Sequence, residues 1–188
     1  MRNVLVSSLG WTPAVVTEVV DLLERERTKM DEVVVFPTSS VLPSFYALLI
    51  DFKYGPYNGK KRIERRDLPF DDIRDEGDCE AFRRILAEVI DEKQEEGERV
   101  FMSVAGGRKT MPLDMMLVAR RKEIKEVYHV IAEEVRGISN EFSAIQKIFD
   151  LKGIVEGKTE APREIIDFIV KMCHPEKLTL RLIRIPTE

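Results

Sequence analysis

Ser103-Val104-Ala105-Gly106-Gly107-Arg108-Lys109-Thr110-Met111-Pro112 decides how this chain reads. It follows Val100-Phe101-Met102, which has the composition of a short buried strand, and precedes Leu113 to Ala119, which reads as a helix. Paired glycines between a strand and a helix let the backbone come close to a ligand. Arg108 and Lys109 stand where the free N–H groups of a helix start already favour anions. Thr110 is expected to be the N-cap of that helix. The stretch therefore predicts an anion site suited to phosphate; the alternative is a tight turn with solvated cations.

The pattern extends in both directions from this turn. Val4 to Val6 predict a first strand, and Thr12-Pro13 an N-cap and first-turn proline for a helix carrying Val15, Val16, Val19, Leu22 and Leu23. Glu32 to Phe36 predict a second strand closed by Pro37, Pro43 to Asp51 a helix, and Lys61 to Leu68 a third strand. Cys79 to Glu96 read as a helix with Phe82, Ile85, Leu86, Val89 and Ile90 on one face. Arg99 to Ser103 form the fourth strand, Thr110 to Lys122 a buried helix, and Val127 to Ile131 the fifth strand. Strands alternating with helices predict an α/β fold: Rossmann-like, doubly wound, mostly parallel, with helices on both faces. Continuous apolar strands agree, because both sheet faces are covered.

Residues 1–135 read as this domain and residues 136–188 as a small α/β extension packed on it. The extension would hold a helix over Glu141 to Phe149, a loop from Ile154 to Pro162, a helix from Arg163 to Cys173 and a strand from Lys177 to Ile185. Ligands of doubly wound folds sit at the carboxyl ends of strands. The Ser7–Thr12 and Ala105–Lys109 loops both follow strands, and they become neighbours if the first and fourth strands pair.

Composition narrows the function. Of 188 residues, 44% are hydrophobic, enough for a core, and no run approaches the length of a membrane span. The amino terminus is too short and strand-like for a signal peptide, so a cytoplasmic protein with Cys79 and Cys173 as free thiols is expected. Charged residues reach 34% while the net charge is only −4, with Gln and Asn scarce, a bias resembling proteins of hot-living organisms. A net acidic chain is not expected to bind duplex DNA. The Walker A pattern fails, since Arg108 and Ser103 stand where glycines belong, and no G-x-G-x-x-G is present. His129 and His174, the only histidines, do not form a zinc spacing, and no metal or cofactor is expected. Asp71-Asp72 and Asp75-Glu76 read as a solvated acidic loop.

Further polar loops fall on the same edge. Ser7-Ser8-Leu9-Gly10-Trp11-Thr12 offers hydroxyls, a glycine and a helix start for phosphate or ribose contacts. Trp11, the only tryptophan, either stacks on a base or packs against the sheet end. Thr38 and Ser39 lie in a third loop after the second strand. The basic run Lys60-Lys61-Arg62 with Arg65-Arg66 reads as a charged strand edge.

Together, Ser8-Leu-Gly-Trp-Thr-Pro-Ala-Val-Val-Thr-Glu18 after the first strand and Gly106-Gly-Arg-Lys109 after a later one resemble the CRISPR-associated Rossmann fold (CARF) domains of type III CRISPR defence. The resemblance covers roughly the first 135 residues. It implies a homodimer that binds a cyclic oligoadenylate messenger across its interface, with the tetra-adenylate ring expected ahead of the hexa-adenylate. Many such proteins carry a HEPN ribonuclease; here Arg120 and Arg121 lie too far from His129 for its Arg…His motif, and the extension is too small. Some lone CARF proteins are ring nucleases, which cut the messenger and end the signal; the alternative is a non-catalytic sensor.

Under that resemblance Lys109 and Ser8 are the expected catalytic residues. Lys109 would meet charge growing on the phosphate while Ser8, or Ser7, holds it or positions the ribose 2′-OH, which is the nucleophile. Ser7, Gly10, Trp11, Thr12, Thr38, Ser39, Gly106, Gly107, Arg108 and Thr110 would line the ligand. No metal is required, and products would end in 2′,3′-cyclic phosphate.

Overall fold

A computed structural model describes residues 1–133, 149–175 and 179–187. Six strands form one sheet: β1 Asn3–Leu9, β2 Glu32–Pro37, β3 Arg62–Arg65, β4 Arg99–Ser103, β5 Val127–Glu133 and β6 Thr179–Arg184. Their order is β3-β2-β1-β4-β5-β6; all pairs are parallel except β5 with β6, which is antiparallel. The expected Rossmann-like α/β sheet is therefore present, with β1 and β4 paired at its centre.

The alternation of side chains along the strands sorts the helices. Leu5, Val33, Val35, Phe101 and Val130 face one way, against α1 Ala14–Arg25, α2 Leu42–Tyr54, α5 Leu151–Val155 and α6 Arg163–Cys173. Val4, Val6, Val34, Phe36, Val100, Met102 and Val127 face the other way, against α3 Glu76–Glu95 and α4 Thr110–Arg121. Leu151, Ile154, Ile165, Ile169 and Met172 belong to the first of these cores, so the described carboxyl-terminal helices share the hydrophobic interior of the main sheet.

The expected fourth strand and the Arg163–Cys173 helix have the observed bounds, and β3 is shorter than expected. Residues 141–148 of the expected Glu141–Phe149 helix, and Lys177 and Leu178 of the last strand, lie outside the described residues. The loop expected from Ile154 begins instead with the end of α5, a short helix whose start is capped by Asp150, its side chain accepting from Gly153 N at 2.9 Å.

Two caps differ from expectation. Lys109, which precedes the first residue of α4, already has helical backbone angles (φ −54°, ψ −30°), and no side chain caps the helix. Thr110 is consequently inside α4 rather than its N-cap, which needs an extended backbone. Pro13 likewise displaces Thr12: it occupies the cap of α1 with helical angles, and the first turn closes through Thr12 O and Pro13 O.

The amino-terminal end of the sheet is closed by buried charge. Lys93, 2% exposed, reaches Glu32 at 3.3 Å and Glu98 at 3.9 Å, while Arg2 and Arg62 approach the same Glu32 from outside. Four members of the basic run around β3 are paired: Lys61 with Glu24, Arg62 with Glu64, Arg65 with Asp67 and Arg66 with Glu92. That leaves the carboxyl-terminal edge for the site.

Candidate functional site

The loops after β1 and β4 are interlocked. Ser7 lies opposite Ser103 in the parallel register, which brings the two strand ends together. Ser8 Oγ then donates to Gly106 O at 2.6 Å. A side chain at Gly106 would put its Cβ 2.6 Å from Ser8 O, and one at Gly10 would meet Gly107 N at 3.0 Å. Gly107 has φ 83°, in the region where only glycine is unstrained. The glycines expected to admit a ligand thus first admit each other's backbones. This contact sits where the chain leaves β1 for one half of the sheet while β4 flanks it in the other, the switch point at which doubly wound folds bind ligands.

Nine of the expected site residues besides Arg108 lie in or directly beside these two loops. Ser7 and Ser8 are fully buried; Ser7 Oγ donates to Ser8 O at 2.9 Å, and the Ser8 proton is spent on Gly106. Ser8 therefore orders the glycine loop in this conformation. Gly10, Gly106 and Gly107 form the rim beside it. Trp11 is 55% exposed, which decides against packing on the sheet end, and its carbonyl accepts from Ser44 Oγ at 2.9 Å. Thr12, Lys109 and Thr110 are exposed. Among the described residues no carboxylate lies within ion-pair distance of Lys109.

Arg108 differs from its neighbour. Its guanidinium forks onto Asp72, with Nε donating to Oδ1 at 2.7 Å and Nη2 donating to Oδ2. That hydrogen bonding holds the Asp72 carboxyl below its ordinary range and raises the Arg108 pKa. The adjacent Asp71 engages the third polar loop: Ser39 N donates to Asp71 O at 2.9 Å and Ser39 Oγ to Asp71 Oδ1 at 2.7 Å. Thr38 is buried, with its hydroxyl 3.3 Å from Ser40 Oγ. The acidic loop is thus part of the site edge, not a merely solvated segment. Leu68, Phe70 and Ile73 anchor it against the α3–α4 core. Asp75 leads it into α3 by accepting from Asp78 N.

One charged cluster escaped the sequence reading. His174, just beyond the Arg163–Cys173 helix, points Nδ1 at Asp21 Oδ2 (2.7 Å) and Nε2 at Asp51 Oδ2 (3.1 Å). Burial lowers the imidazole pKa, but the two carboxylate hydrogen bonds outweigh it and push it up to about 9. Burial raises Asp51 in turn. Tyr57 completes the cluster, donating to Asp21 Oδ1 at 2.7 Å. Sequence separation hides this group; only the packing of α6 on α1 and α2 assembles it. Among the described residues no three His, Cys, Asp or Glu side chains are placed to hold a metal ion, and no described helix is long and apolar enough to cross a membrane.

The model of a family described as CRISPR-associated protein NE0113 matches residues 12–147. The chain belongs to this family. The NE0113-family chain is also 26% identical over 176 residues to the CRISPR system ring nuclease SSO2081 of Saccharolobus solfataricus, a match covering 89% of this chain and 93% of that protein. Its fold resembles Enterococcus italicus Csm6 bound to cyclic hexa-2′-fluoro-hexa-dAMP, with a TM-score of 0.59, 15% identity and 98% of this chain covered. It also resembles Can2 from Sulfobacillus thermosulfidooxidans in complex with cyclic tetra-adenylate, with a TM-score of 0.51, 12% identity and 91% covered. The chain spans only 42% and 57% of those two solved chains. The resemblance to CARF domains drawn from the two loops is borne out by these matches. It places the chain among CRISPR-associated proteins of Rossmann-like fold.

Proposed function

We propose that this protein binds a cyclic oligoadenylate at the carboxyl-terminal sheet edge and cleaves it, ending a type III CRISPR signal in the cytoplasm. The observation that carries this reading is the interlocked β1–β4 switch point with exposed Lys109 beside it, without a carboxylate partner among the described residues, in a chain similar to a named ring nuclease. A ring is large for one loop pair, and a two-fold ligand suits a two-fold homodimer. Leu113 and Leu117, one turn apart on α4 and 67% and 57% exposed, give a second copy an apolar stripe to cover next to the Lys109 loop. The tetra-adenylate ring is the preferred substrate in this reading, and residues 136–188 support the 1–135 domain.

In the cleavage step the ribose 2′-oxygen bonds to phosphorus and the P–O5′ bond breaks. The 2′-proton leaves to water and a proton reaches the 5′-oxygen, giving a linear product with a 2′,3′-cyclic phosphate. The nucleophile belongs to the substrate, so alignment and charge supply the catalysis. Lys109 meets the charge that grows on the phosphate, Arg108 binds charge already present, and the Gly106–Gly107 N–H groups add donors. Ser8 acts by fixing that loop, and Ser7, Gly10, Trp11, Thr12, Thr38, Ser39 and Thr110 border the ligand. No metal enters this chemistry.

The second reading, a sensor that binds without cutting, is favoured by one observation: both serine hydroxyls are buried and engaged with backbone carbonyls, so neither is free to position a ribose 2′-OH in this conformation. Incubating the protein with labelled tetra- and hexa-adenylate rings in EDTA decides between them. Linear products with cyclic-phosphate ends support the nuclease; tight binding with intact rings supports the sensor; neither result refutes both.

A further inference from the structure

Two loops that were expected to grip phosphate are gripped instead by one acidic dipeptide. Arg108, from the β4–α4 turn, gives its guanidinium fork to Asp72. Ser39, from the turn after β2, gives its N–H and its hydroxyl to Asp71. A carboxylate on an arginine fork has the geometry a phosphate would take, two oxygens against two parallel N–H donors. The carboxylate is also oriented from its own backbone, since Ile73 N donates to Asp72 Oδ1 at 3.0 Å. The loop does not float: Leu68, Phe70 and Ile73 hold it to the core, and Asp75 caps α3 just beyond.

We infer that Asp72 is an internal stand-in for phosphate, a carboxylate that occupies Arg108 until a polyanionic ligand displaces it, and so sets the affinity threshold of the site. The inference rests on the ligand reading above for the identity of the polyanion. Its physical content is an exchange. A ligand phosphate that reaches Arg108 must break the fork to Asp72, and a single phosphate gains little by replacing one anion with another. A ring that also reaches Lys109 and the glycine-loop N–H groups gains contacts which no internal carboxylate contests. Asp72 thereby discriminates against mononucleotides and inorganic phosphate, which would otherwise fill the Arg108 fork.

The charge count gives a second signature. Each phosphate neutralised by a free cation contributes a slope of about −0.7 to the logarithmic salt dependence of a single-stranded ligand. An Arg108 already neutralised by Asp72 contributes little of this. Releasing Arg108 should therefore make binding both tighter and more salt-dependent, whereas loss of a merely supporting residue would weaken it.

The test titrates wild type, Asp72→Asn, Arg108→Ala and the double variant with cyclic tetra-adenylate, cyclic hexa-adenylate and inorganic tripolyphosphate across a salt series. Asp67→Asn, in the same segment but paired with Arg65, controls for the loss of one negative charge. Asp72→Asn should bind about two- to fivefold more tightly, the scale of an exposed ion pair, with a salt slope steeper by about 0.7. The gain should vanish when Arg108 is also alanine, and Asp67→Asn should leave the slope unchanged. If rings bind wild type but Asp72→Asn binds them equally or more weakly, Asp72 is a support for Arg108 and the inference falls while the ligand reading stands. If no ring binds any variant yet tripolyphosphate binds Asp72→Asn more tightly, the inference stands and the ligand reading falls. If Asp72→Asn gains affinity for none of the three probes, the stand-in is refuted.

Discussion

Replacing His174 by glutamine should change how stability depends on pH, and by an amount that the structure bounds. The imidazole lies between Asp21 on α1 and Asp51 on α2, one carboxylate oxygen at each ring nitrogen. A neutral imidazole has one N–H, so both contacts are hydrogen bonds only in the cation. The pKa rises from 6.5 to about 9. At about 1.4 kcal/mol per unit this corresponds to roughly 3 kcal/mol, and partial solvent access on the Asp21 side reduces it to about 1–2 kcal/mol. Because the folded pKa lies above the unfolded one, the contribution is complete below the unfolded value of 6.5 and is lost as pH climbs through about 9. The neighbouring Tyr57 and Cys173 are both shifted upward by burial and stay neutral across this window. Burial raises Asp51 as well. Urea unfolding of wild type and His174→Gln should therefore show wild type losing about 1–2 kcal/mol of its advantage between about pH 6 and pH 10. Glutamine also leaves buried Asp51 without a cation, so the variant should be the weaker protein at the acid end. Parallel stability curves for the two proteins over that range would show that the imidazole is neutral in the fold and would falsify the argument.

Lys109→Ala should slow single-turnover ring cleavage at saturation by about 10²–10³ while weakening binding less than tenfold; equal cleavage rates at saturation would hand the site to the sensor reading. Arg108→Ala should do the reverse, losing affinity with the saturated rate nearly intact, as read from the same titrations. Ser8→Ala removes the hydrogen bond to Gly106 O and should cost about 1 kcal/mol in denaturant unfolding together with a slower cut. Ser7→Ala, whose hydroxyl serves only the adjacent carbonyl, should leave cleavage near wild type, and a larger loss there than at Ser8 would reverse their roles. Gly106→Ala places a carbon 2.6 Å from Ser8 O, a backbone clash that must part the two loops. It should lower stability by about 1–3 kcal/mol and abolish ring binding, and a variant that melts and binds like wild type would mean the loops are not locked.

The sheet was legible because its strands are continuous apolar runs and its helices carry apolar stripes; β4 and α6 needed nothing more. The site edge was legible for a different reason: glycines and hydroxyls immediately after a strand are unusual unless backbones must meet there, and Gly106 and Ser8 do meet. Partners were not legible. Arg108 and Lys109 are adjacent, alike in sequence and both exposed, yet only Arg108 has a carboxylate partner among the described residues, because only the fold brings the segment after β3 across the β4–α4 turn. Thr110 failed as a cap because the helical twist starts one residue sooner than the preference for threonine suggests. The His174 cluster had no local signal, since an isolated histidine before proline looks the same whether or not two aspartates wait for it.

The two ends of the sheet respond differently to heat. The charge network around Lys93 and Glu32 loses part of its dehydration cost as temperature rises, so it holds the strand starts together more effectively in warm surroundings. The loops at the strand ends, which carry Ser8 and Gly106, rest on individual hydrogen bonds and one solvent-exposed ion pair, which gains less from warming because it is less dehydrated. A single frame thus acquires a thermal gradient along its strands, stiff at the roots and supple at the tips. Cold should therefore slow exchange of the proposed ring well before it threatens the fold.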